Sequence, residues 1–193
     1  MRSLSNHAVL VGLPTEVGRA ATRVLGARGL RVTWPAVDAD GPAPDLFVIG
    51  TTEPGPAADF ADTDPVTWWA AVERRLCTLF ALAQGAGRDL AATGGGRIVF
   101  VLDARGLAGE AGATVDATVG SAAIALTKTL ARELGPVGVA VNAVAVAAPP
   151  RDGFAEPTPH DVAQTIAFLG DARLPSLTGQ ILPCTGGTIR TRA

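Results

Sequence analysis

Apolar residues follow one another along this chain in two rhythms. From His7 to Val11, and again through "DLFVIG" at 45–50, they form short unbroken runs rich in β-branched residues, the pattern of strands buried on both faces. From Val17 to Arg28 they recur instead at Val17, Ala20, Ala21, Val24 and Leu25, one face of a helix that Gly29 closes. "LRVTW" at 30–34 reads as a second strand, and the turn-rich "PAVDADGPAP" leads directly into the third at 45–50. Pro65 to Ala92 carries Trp68, Val72, Leu76, Leu79 and Phe80 at helical spacing, with Gly85 and Gly87 as candidate breaks. Then follow a strand, "GGGRIVFVL" at 94–102, a helix from Val115 to Leu134 that stops at Gly135-Pro136, and a strand, "VGVAVNAVAV" at 137–146. The last helix opens at "TPHDVAQTIAFLG", where Thr158 is placed to cap, Pro159 to occupy the first helical position and Asp161 to complete a capping box. "GQILP" at 179–183 is the final strand. Strand and helix alternate without internal repeat, which predicts an α/β fold with a mostly parallel sheet wound from both faces.

Composition narrows the field. A chain of 193 residues suits one domain, here 1–193, and its 48% hydrophobic content can fill a core. A net charge of -2 without any basic run argues against a nucleic-acid surface. No apolar run approaches membrane length, and "MRSLSNH" leads only into a short strand, so neither a membrane span nor a signal peptide is expected, and a soluble cytoplasmic protein is. Cys77 and Cys184 stand in apolar surroundings without ligand spacing, so buried small side chains are expected and no metal site. His7, at the edge of the first strand, and His160, in the first turn of the last helix, are expected to have surface or capping roles.

Three segments in order carry a resemblance. "GGGRIVFVLDARGLAG", "SAAIALTKTLARELGPVGVAVNAVAV" and "LTGQILPCTGGT" resemble the central strand, the fifth helix with the sixth strand, and the C-terminal strand of the short-chain dehydrogenase/reductase family. The resemblance implies a Rossmann-like doubly wound sheet across nearly the whole chain. It also implies an Asn, Ser, Tyr, Lys tetrad in which Tyr donates a proton to the carbonyl that receives hydride. The aligned positions here are Arg75, Asp103, Asp116 and Gly120, and the chain has no tyrosine. Without the phenol, and without the lysine that lowers its pKa, the family's proton relay cannot be assembled from these residues.

The cofactor turn is altered as well. The family's TGxxxGxG stands here as "VGLPTEVG", which keeps Gly12 and Gly18 and puts Glu16 at the middle glycine. A carboxylate about 4 Å from a phosphate costs about 4 kcal/mol at a surface-like dielectric, nearly three decades in affinity. Glu16 either complements the helix dipole as a solvated first-turn residue or occupies the place of the phosphate; in both cases NAD(P) binding is expected to be lost. The family's "NNAG" stretch stands here as "IGTT", Ile49 to Thr52.

Two intervals are short. About ten residues separate Trp34 from Asp45, too few for the helix, strand and helix that the family places there, since one crossover takes about 30. Only "RDGFAE" lies between "VNAVAVAAPP" and the last helix, where relatives carry a lid over the substrate. The expected sheet is therefore shortened, lacking the third-strand region and the lid. The two long helices and the last strand, which in the family form twofold interfaces, are retained.

These features suggest a catalytically silent subunit that pairs with an active NAD(P)-dependent paralogue, a ketoreductase or alcohol dehydrogenase, in a heterodimer or heterotetramer, and that forms homodimers when alone. Two other readings stay open. Asp103 and Asp116, with Arg75 nearby, would suit a non-redox acid and base pair, or would simply be neutralised by Arg75. The chain would also suit a homo-oligomeric module binding a small ligand. Trp68 and Trp69 are expected in the core or an interface, and Arg74 and Arg75 in ion pairs across a helix bundle with Glu73 of another copy.

Overall fold

The computed structural model describes residues 6–34, 43–51, 55, 57–146 and 154–189. Strand β1 (His7–Val11) leads into helix α1 (Thr15–Ala27), and β2 (Arg31–Thr33) and β3 (Leu46–Gly50) follow. A 3-10 turn at Phe60–Asp62 precedes α2 (Pro65–Ala92), β4 (Gly96–Asp103) and a one-turn helix α3 (Arg105–Ala108). Then come α4 (Thr114–Leu134), β5 (Val139–Val146), α5 (Pro159–Leu169) and β6 (Ile181–Cys184). All pairs in the sheet are parallel, in the order β2-β1-β3-β4-β5-β6. The fold is the shortened Rossmann-like α/β sheet expected. β2 is its outer edge, and no strand lies beyond it among the described residues.

Parallel strands need cover on both faces, which explains their unbroken apolar runs. Ala8, Leu10, Val48, Val99 and Val144 point toward α1 and α5, where Val24, Leu25, Val162 and Ile166 meet them. Alternate residues Ile49, Ile98, Phe100, Val141 and Ala143 point the other way, under Leu79, Ala83 and Leu90 of α2 and Ala123 of α4. Burying each large side chain fully stabilises the fold by roughly 1.5–3 kcal/mol. Asn142, buried in β5, donates to the Leu177 carbonyl at 2.8 Å and accepts from the Gln180 N–H at 3.0 Å, fixing the approach to β6.

The caps follow local rules. The Asp64 carboxylate accepts from the Val66 and Thr67 N–H groups at the start of α2. The capping box of Thr158 and Asp161 is present at α5, with Pro159 in the first turn. Elsewhere the chain departs from expectation. α2 runs through Gly85 and Gly87 without a break, because Gly87 lies close beneath Leu134 of α4 and leaves the helix room to pack. α1 starts at Thr15, so Glu16 lies inside its first turn. β6 is shifted along the chain from 179–183 to Ile181–Cys184. His7 is buried, not superficial: its ring Nε2 shares a 2.8 Å hydrogen bond with the Thr33 hydroxyl on the edge strand. Cys77 is exposed, because it falls on the outer stripe of α2 one turn beyond Glu73. Cys184 is half-buried, and that burial pushes its thiol pKa up. His160 is exposed in the first turn of α5, as expected.

Of the two short intervals, residues 35–42 and 147–153 lie outside the described residues, as does Thr52 of "IGTT". No described helix is long and apolar enough to cross a membrane, and no metal-binding group of His, Cys, Asp and Glu occurs among the described residues.

Candidate functional site

In an open parallel sheet, ligands bind beyond the carboxyl ends of the strands where the winding reverses. Here that point lies between β1 and β3. Their ends cross closely: Gly12 has a φ of +66°, and a Cβ there would stand 2.6 Å from the Gly50 carbonyl oxygen. Gly12 therefore answers to backbone crowding before any ligand is considered. Beside it a cavity of about 210 Å³ is lined by Gly12, Thr51, Arg74, Arg75, Thr78 and Leu82. It is smaller than the roughly 300–1,000 Å³ usual for ligand pockets.

The four tetrad positions converge at the ends of β3 and β4. Asp103 ends β4, Asp116 lies in the first turn of α4, and Arg75 reaches in from α2. Arg75 Nη1 donates to Asp116 Oδ1 at 2.6 Å and Nη2 to the Thr51 carbonyl at 3.1 Å. The same Asp116 oxygen accepts from the Gly55 N–H at 2.8 Å. Its second oxygen lies 3.0 Å from Nη1 of Arg105, a residue that the sequence comparison did not single out. Arg105 also clasps Asp103: Nε donates to Oδ1 at 2.9 Å, Nη2 to Oδ2 at 2.6 Å, and its backbone N–H to Oδ1 at 2.8 Å.

Arg105 thus sits between the two aspartates and changes what they can do. The Asp116 and Asp103 side chains are only 3% and 9% exposed, and bare carboxylates so placed would be costly. Two guanidinium groups balance two carboxylates, and every carboxylate oxygen has a charged donor. Hydrogen bonding to Asp103, and then the charges of Asp103 and Asp116, hold the Arg105 pKa above its usual value against the effect of burial. Arg75 turns inward, so the expected ion pair between its side chain and another copy's Glu73 is replaced by an internal one. Asp103 and Asp116 belong to one neutral ion chain, Arg75-Asp116-Arg105-Asp103, and the acid and base pair expected as an alternative has a cation in its middle.

Gly120 explains part of this arrangement. A Cβ at Gly120 would stand 2.7 Å from the Asp103 carbonyl oxygen and 3.1 Å from Gly106 Cα. A Cβ at Gly106 would lie 2.4 Å from the Gly120 carbonyl carbon. Two glycines let α3 press backbone to backbone on α4, which carries Arg105 to both aspartates. Trp68 is half-buried, and its indole N–H donates to the Thr114 hydroxyl at 3.1 Å, closing the side of the site. Trp69, its neighbour, is exposed.

At the β1-α1 turn, Glu16 is exposed in the first turn of the helix, the solvated arrangement of the two considered. Gly18 is buried beneath the Trp34 indole, where a Cβ would come within 2.4 Å of the ring.

Fold and site place the molecule among the doubly wound nucleotide-fold proteins. The family model described as enoyl-(acyl carrier protein) reductase matches residues 45–151, more than half of the chain, and the chain belongs to this family of short-chain dehydrogenases/reductases. It is similar to nodulation protein G of Azospirillum brasilense, 37% identical over 86 residues, a match covering 45% of this chain and only 35% of that protein. It is also similar to 3-oxoacyl-(acyl-carrier-protein) reductase FabG of Escherichia coli, 24% identical with 93% of this chain and 96% of that protein covered. A solved structure of a short chain dehydrogenase/reductase family protein superposes with a TM-score of 0.81 at 22% identity, covering 97% of this chain and 98% of the other, a likeness of fold.

Proposed function

We propose that this chain is a non-catalytic subunit that associates with an active NAD(P)-dependent reductase of the same family and supports its assembly or substrate site. The observation that carries this reading is the ion chain: Arg75 pairs with Asp116, Arg105 ties Asp116 to Asp103, and Gly120 leaves no room for a lysine. The turn fits a dinucleotide poorly. Glu16 replaces a glycine near the phosphate position, and Trp34 covers Gly18 about 20 residues on from the turn, where such folds place the ribose-binding acid. The partner's reaction is ketone reduction or alcohol oxidation; the 3-oxoacyl-(acyl-carrier-protein) reductase among the relatives favours a thioester-bound acyl chain.

The outer side of α2 supplies the surface for association. Trp69 and Phe80 are 54% and 55% exposed on it, about three turns apart on one face of the helix. With a paralogue present this face makes a heterodimer or heterotetramer, and without one a homodimer.

The test is the native mass of the tagged chain isolated gently from its own host. A full-length reductase of the family should come with it in a fixed ratio, and Trp69→Glu with Phe80→Glu should release that partner while the isolated chain keeps its folded circular-dichroism spectrum. Recovery of the chain only with copies of itself would sink the proposal. NADH and NADPH fluorescence should remain unchanged on titration with the chain.

A further inference from the structure

At the opposite end of the sheet, beyond the amino ends of the strands, a second and larger cavity opens between the C-terminal ends of α1 and α5. Its volume is about 620 Å³, and its walls include Leu25, Leu30, Leu46, Arg28, Arg97 and Arg173. Two of the three arginines are engaged. Arg28 caps α1 and donates to the Gln164 side-chain oxygen at 2.9 Å, while Arg173 clasps Asp171 through Nε and Nη2. Both also suit the negative ends of the neighbouring helix dipoles.

Arg97 is different. It stands at the start of β4 on the face that carries Val99 and Val101, and its side chain is half-buried. Its Nε is shut off from solvent without a hydrogen-bond partner. Its guanidinium makes no side-chain hydrogen bond, and no ion pair within 4.0 Å, among the described residues. Burial pulls its pKa below the usual arginine value, opposed by the charges of Asp171 and Asp45. A guanidinium has five N–H donors in a planar fork suited to a carboxylate or phosphate, and a half-buried one needs acceptors. The rest of the wall is mixed: Leu25 and Leu46 are each 1% exposed and Leu30 is half-buried, while Asp45 and Asp171 also line it, Asp171 being held by Arg173, so three arginines face two carboxylates. The volume lies within the range of small-molecule sites.

We propose that this cavity binds an organic anion, a carboxylate or phosphate head on a short apolar body, with Arg97 holding the head and Leu25, Leu30 and Leu46 receiving the body. The site is separate from the ion chain at the other end of the sheet, and it stands whether or not the chain pairs with a reductase.

The test is a chemical-shift titration of the whole ¹⁵N-labelled chain with hexanoate, hexyl phosphate and hexanol at constant ionic strength. The anions should saturate, with shifts gathered at the amides of Leu25, Leu46, Arg97 and Gly170, while hexanol binds at least about tenfold more weakly for want of the charged fork. The stronger of the two anions identifies the head group. Arg97→Gln should weaken anion binding about tenfold, and Arg132→Gln, on the exposed side of α4, should not change it. Absence of saturation, equal binding of hexanol, or shifts centred on Gly12 and Gly50 would overturn the proposal. If Arg97→Gln fails to fold, the comparison of hexanoate with hexanol on the unaltered chain decides.

Discussion

Asp116 receives donors from α2, α3 and the segment after β3, which makes it the keystone of the ion chain. Removing one member of a buried ion network costs more than the network contributes, because the partners left behind keep their charge. Asp116→Ala strands Arg75 and Arg105 against Asp103 alone. Stability should fall by about 3–5 kcal/mol, which lowers the melting temperature of a chain this size by about 6–20 °C; a thermal melt followed by circular dichroism checks it. Asp171 is a contrasting case at the surface. Its carboxyl, normally near 3.8, is lowered to about 2, first by the Arg173 side chain and then by the Arg173 N–H. A lowered folded pKa gives a contribution that is complete above the unfolded value and lost as pH falls from about 4 toward 2. The contribution is small for an exposed pair. Asp171→Asn should remove only that part of the acid-side loss in a series of melts between pH 5 and 2.

These two aspartates show how much of the site the sequence made legible. "DAR" occurs at 103–105 and again at 171–173, and in both places the arginine folds back to grip the aspartate through its backbone N–H, Nε and Nη2. Arg105 could have been found from that two-residue spacing, which closes the same local loop wherever it falls. Alignment with the family found Arg75, Asp103 and Asp116 and missed Arg105, which aligns with no member of the tetrad.

Elements were more legible where their signals are local. The cap at Thr158 and Asp161 involves residues three apart and stands as read. His7 and Cys77 were misread because neighbouring hydropathy does not reveal which side of a strand end or helix turn the rest of the fold covers. The break in α2 was misread for a related reason: Gly87 serves the contact with Leu134 rather than ending the helix. Least visible was α3, whose four residues have no period of their own and exist because Gly106 can meet Gly120. Gly120→Ala puts a methyl group against backbone on two sides. It should destabilise the chain by about 1–3 kcal/mol, and a urea titration should show a lower midpoint with an unchanged slope.

For the molecule as a whole, alternation of short apolar runs with helical periods was enough to give a parallel sheet covered on both faces, because that pattern has few other solutions. Its two ends differ. Beyond the carboxyl ends of the strands Arg75, Asp116, Arg105 and Asp103 are paired among themselves, whereas beyond the amino ends the buried Nε of Arg97 has no hydrogen-bond partner among the described residues. The contact between Gly106 and Gly120 bears on the history open to such a chain. A lysine at position 120 needs room that α3 occupies, and moving α3 detaches Arg105 from two buried aspartates. Gly120→Lys alone is therefore expected to give a chain that folds poorly. The glycine pair acts as a ratchet: with backbone filling the space of a side chain, placing a lysine at position 120 requires several coordinated changes.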